Sequence, residues 1–124
     1  VVIQRIKKLI EELITRVFST RNCAHLTHWK TDSYSEHIAL GDFYDEIIEI
    51  LDKYVEVYQG NFDVIGDITL EDYSGEILNC LHEDIVWIDK NYKNLCHGIT
   101  SLSNIIDELV AVYLRTVYKL THLH

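Results

Sequence analysis

Apolar residues recur along this chain at gaps of three and four, in four long stretches separated by polar breaks. Over residues 2–29 they fall at Ile3, Ile6, Ile10, Leu13, Ile14, Val17 and Phe18, the spacing that lines one face of a helix. Residues 30–35 break the stripe, and Ser33 or Ser35 can cap the next helix. That second helix is expected over 36–59, striped by Phe43, Ile47, Leu51, Tyr54 and Tyr58, with Gly60 as its stop. Residues 61–69, with Gly66 inside, read as a connection. Thr69 then caps a third helix over 70–92, with Asp72 in a weak capping-box arrangement and Ile77, Leu78, Leu81, Ile85 and Ile88 as its stripe. After a break at 94–98, the fourth helix covers 101–120 and carries Leu102, Ile105, Ile106, Leu109, Val112, Tyr113, Val117 and Leu120.

The breaks within the first and last helix pairs are short, so each pair forms an antiparallel hairpin. The connection between the second and third helices is longer. The expectation is an all-α fold: one domain, residues 1–124, built as an antiparallel four-helix bundle with a longer crossover between helices 2 and 3. Composition agrees, because the chain has no proline and five glycines, too few for the turns of a β-sandwich.

Charge and cysteine usage narrow the function classes. A net charge of −9, with no basic tail, argues against a nucleic-acid partner. No apolar run approaches the ~20 residues of a membrane span. Cys23, Cys80 and Cys96 are odd in number and widely spaced, which reads as reduced, unpaired thiols that bind no metal, in a cytoplasmic protein. The chain contains no Met, which is read as a start downstream of the true N-terminus.

The candidate chemistry is metal binding. His25 and His28 end the first helix, His28 pointing the same way as Ile10 and His25 near the edge of that apolar arc, and His37 opens the second helix inside its apolar arc. Farther along the second helix, Asp45, Glu49, Asp52 and Glu56 share one sector. Carboxylates four residues apart together with imidazoles suit iron or manganese, and also hold zinc. The plainer alternatives are hydrogen-bonded core histidines and a solvated acidic face. Geometry adds a constraint: His37 and Asp52 lie fifteen residues apart on one helix, roughly 22 Å along its axis. One chain cannot bring both to one ion. Two chains packed antiparallel about a twofold axis can, with two equivalent sites per dimer.

These residues resemble the Dps-like miniferritins of the ferritin-like superfamily. The likeness lies in His28-Trp29 at the end of helix 1, a polar loop, and then His37 followed fifteen residues later by Asp52 and four later by Glu56. It is carried by residues 22–60, with a fainter echo in Gly98-Ile99-Thr100-Ser101 and Ile105-Ile106-Asp107-Glu108. The resemblance implies a ferritin-like bundle and a homo-oligomer of twofold dimers, up to a closed dodecamer. It also implies a ferroxidase site in which His28 and His37 of one chain face Asp52 and Glu56 of the other. His25 would replace or supplement His28. An acidic ligand is common four residues after the second histidine; here that position is Gly41, so Asp45 or Asp42 would stand in. Iron is the implied metal, with zinc or manganese as substitutes. Fe(II) would be oxidised by O₂ or peroxide and stored or detoxified, with binding weakening below about pH 6. The alternative is a ferritin-like assembly protein, virion-associated and similar to small ferritin-like proteins of large phages, with a vestigial metal site. A regulatory bundle that binds a partner helix is a third reading.

Overall fold

A computed structural model describes the backbone of residues 2–71 and 75–124, with side chains from Gln4 onward. Among these residues it is all-helical: α1 (Val2–Lys30), α2 (Tyr34–Asn61), α3 (Ile77–Lys90), the short α4 (Tyr92–Cys96) and α5 (Thr100–His122). No helix is long and apolar enough to cross a membrane.

Local chemistry accounts for the breaks. Ser33 is extended, and its Oγ accepts from the Glu36 N–H at 3.2 Å, capping α2. Gly60 does not stop this helix: α2 continues through it to Asn61, and the Phe62 N–H still donates to the Tyr58 carbonyl. The third helix starts later than the sequence pattern predicts. Thr69 and Leu70 are not helical, and Asp72 lies outside the described residues. The cap is instead Glu76, whose carboxylate accepts from the Leu78 N–H at 3.1 Å. The local break is at Gly75, whose φ of 157° is not helical and which as glycine favours a helix interior less than alanine by about 1 kcal/mol; α3 begins just after it. The predicted break at 94–98 is partly helical, as α4, and ends at His97 and Gly98, both with positive φ.

The long helices run side by side. α1 packs on α2 and α3, and α5 packs on the same two. Partner numbers fix the directions. Asp42, Glu46 and Lys53 of α2 pair with Lys119, Arg115 and Glu108 of α5, so those two are antiparallel. Asp84 of α3 meets Thr20 and Arg16 of α1 and Tyr113 of α5. Gly75, ahead of α3, lies against Cys23. α3 therefore descends along α1, parallel to α2, and the connection after α2 must climb the length of the molecule. It does so beside α1, where Ser19 Oγ donates to the Glu71 carbonyl at 3.1 Å.

One apolar cluster runs through the four long helices. Its largest fully buried side chains include Tyr54, Tyr113, Phe43, Ile10, Leu13, Leu40 and Leu102, the phenylalanine and aliphatic ones each worth about 1.5–3 kcal/mol in burial. The buried tyrosines spend their hydroxyls internally: Tyr54 donates to the Leu95 carbonyl at 2.8 Å and Tyr113 to Asp84 at 2.7 Å.

Candidate metal centre

The tight turn between α1 and α2 sets His28 and His37 face to face. Their rings stack with centroids 3.7 Å apart and planes 14° from parallel. Each Nδ1 bonds the other residue's main-chain carbonyl oxygen, at 2.6 Å for His28 and 2.8 Å for His37. A carbonyl only accepts, so both Nδ1 atoms carry the hydrogen. Both Nε2 lone pairs are then left without a protein partner among the described residues. A backbone carbonyl holding one ring nitrogen is the usual support of a metal-ligating histidine.

His25, one turn earlier on α1, joins the group from the side. Its ring stacks on Tyr44 of α2 at 4.0 Å and leans on Trp29 at 4.4 Å, with His28 at 6.2 Å. Leu26 and Trp29 are 54% and 67% exposed beside it. Gly41 has a role that the sequence pattern alone does not reveal: a Cβ there would sit 3.2 Å from Cε1 of His28. Any side chain at this position would press on the His28 ring, which would have to give by a few tenths of an ångström.

The predicted carboxylates are elsewhere. Asp45, Asp52 and Glu56 are all exposed along α2, and none makes an ion pair among the described residues. Their polar neighbours Asp42, Glu46 and Lys53 are bound to α5 instead. Asp52 stands at the rim of an apolar trough of about 380 Å³ formed by α1, α2 and the crossover, with Phe18, Ile48 and Val55 in its wall. Among the described residues, no three His, Cys, Asp or Glu side chains gather as one ion would require. The structure thus pairs His28 with His37, sets His25 beside them at 6.2 Å from His28, and leaves Asp45, Asp52 and Glu56 outside any such cluster.

A second polar centre does not stand out in the sequence pattern. Asp84 is 3% exposed and accepts from Thr20 Oγ1 and from Tyr113 OH, with Arg16 Nη1 at 3.4 Å. Burial pushes its carboxyl up, against the two hydroxyl donors and the Arg16 charge, which pull it down. Arg16 is itself held by Glu12 at 2.9 Å and lies over the Trp87 ring. The chain does carry a signal for it: Ile77, Leu81, Asp84 and Ile88 fall at helical spacing, so Asp84 occupies a core position of α3.

Residues 28–120 match a family of unknown function (DUF5856), and the chain belongs to that family. Neither a curated protein nor a solved structure matches the chain.

Proposed function

We propose that this protein is a ferritin-like four-helix bundle that binds and oxidises Fe(II) at a site shared by two copies of the chain. The observation that carries the reading is the His28–His37 pair, with both Nδ1 atoms tied to backbone and both Nε2 atoms left to ligate. The parallel α2 and α3, joined by one long crossover, support a ferritin-like topology. Asp52 and Glu56 supply hard oxygen donors that suit the ferric product, and the imidazoles suit the ferrous one. A second copy laid antiparallel across the α1–α2 face would bring its Asp52 and Glu56 to His28 and His37, burying Trp29 and the trough beside Asp52. Asp45 and His25 are the candidate additional ligands, since Asp42 is engaged by Lys119 at 3.5 Å.

One observation favours a second reading, an assembly protein without ferroxidase activity. The position four residues after His37 is Gly41, packed against His28, so the donor set is poor in carboxylate. Anaerobic Fe(II) titration followed by oxygen separates the two. The iron reading expects saturable binding and a ferric absorbance; the assembly reading expects a dimer or larger particle that takes up no iron.

A further inference from the structure

Cys23 lies on α1 and Cys80 in the first turns of α3, far apart in the chain, yet Gly75 brings their sulfurs to one place. Cys23 Sγ donates to the Gly75 carbonyl at 3.4 Å. On its other side, the position a Cβ would take on Gly75 is 3.4 Å from Cys80 Sγ. The Cys80 thiol also has Cys23 as a hydrogen-bonding neighbour. The third thiol, Cys96, is buried at the end of α4, past the opposite end of α3 from Cys80.

We propose that Cys23 and Cys80 are a dithiol site that is oxidised to a reversible disulfide by low-molecular-weight disulfides of the glutathione class. Cys23 is the more exposed of the two and attacks first. Its thiolate bonds to one sulfur of the small disulfide, that S–S bond breaks, and one small thiolate leaves. Cys80 then gives up its proton and attacks Cys23 Sγ, and the second small thiolate departs. The protein loses two electrons and two protons, and the small disulfide becomes two thiols. Burial pushes the Cys80 thiol up to about 11, so the second step limits the rate and quickens as pH rises. The product ties α1 to α3 and closes a loop containing all of α2 and the crossover, which constrains the unfolded chain.

The test uses the full chain, incubated with oxidised glutathione at mildly alkaline pH, alkylated, and mapped by mass spectrometry without reduction. The expected result is loss of two hydrogens, one peptide pair linking Cys23 to Cys80, and alkylated Cys96. Thermal unfolding should move to higher temperature and return when a dithiol reductant is added. Cys23→Ser, a change at the partly exposed position, should abolish the link, and Cys96→Ser should keep it. Three alkylated cysteines, glutathione persisting on Cys23, or a link through Cys96 would each overturn the proposal.

Discussion

His28 and His37 exchange hydrogen bonds across the α1–α2 turn, each imidazole donating to the other residue's main-chain carbonyl. The contact serves both fold and ligation, and a single substitution separates these roles. His28→Phe keeps a ring to stack on His37 but removes the donor and the free Nε2. The expected outcome is a loss of about 1 kcal/mol, the worth of one net hydrogen bond, measured by urea unfolding, with iron binding abolished in calorimetric titration. Unchanged iron binding would make the pair a structural clasp only.

Asp52 is exposed and has no ion-pair partner among the described residues of its own chain, so its charge has little to do for the monomer fold. Asp52→Asn should change stability by no more than about 0.5 kcal/mol yet abolish most iron uptake. Lys53→Gln breaks an exposed pair with Glu108, also worth under about 1 kcal/mol, and should leave uptake intact. Equal uptake by wild type and Asp52→Asn would reject the iron reading.

The two glycines of α2 should respond oppositely to alanine. Gly60 has no atom near the position of a Cβ, so Gly60→Ala should stabilise by a good part of the ~1 kcal/mol helix-propensity difference. At Gly41 the same gain meets the His28 ring, held by stacking and by its hydrogen bond. Moving that ring off its rotamer costs about 0.5–1.5 kcal/mol. Gly41→Ala should therefore be neutral or destabilising in denaturant unfolding. A stabilisation equal to that at Gly60 would show that His28 moves freely.

How far the fold can be read from the chain differs by element. Phe43, Ile47, Leu51, Tyr54 and Tyr58 are all buried, because α2 is long enough for its period to outweigh local exceptions. The start of α3 misleads because Thr69 resembles a cap at the head of an apolar stripe, while the non-helical backbone at Gly75 and the Glu76 cap set the start later; position 70 is instead exposed on the crossover. At the candidate centre, residue types and spacing locate the three histidines. They do not reveal the reciprocal backbone bonds or the Gly41 contact, which depend on how two helices meet. Asp84 is hidden for a similar reason: its neighbours His82 and Glu83 are exposed, and a polar run conceals one member that turns inward.

Asp84 gives the last prediction. Burial raises its carboxyl above its ordinary value, so between the two values the folded chain holds a proton that the unfolded chain has released. Stability from this group is present below its ordinary value, about 4, and is lost as pH rises through the raised folded value, staying flat above it. Other carboxylates give the opposite slope, so the group is best isolated by difference. Asp84→Asn keeps the shape and removes the titration. The wild-type-minus-variant stability, from urea midpoints across the acid range, should fall with rising pH and then level off. Asp84→Ala should cost more than Asp84→Asn, because it leaves the buried Thr20 and Tyr113 hydroxyls unmet, at about 1–3 kcal/mol for each unsatisfied group, while Arg16 keeps its pair with Glu12. A difference curve that rises with pH would mean that the hydroxyl donors and Arg16 outweigh burial, and that the centre stabilises the carboxylate.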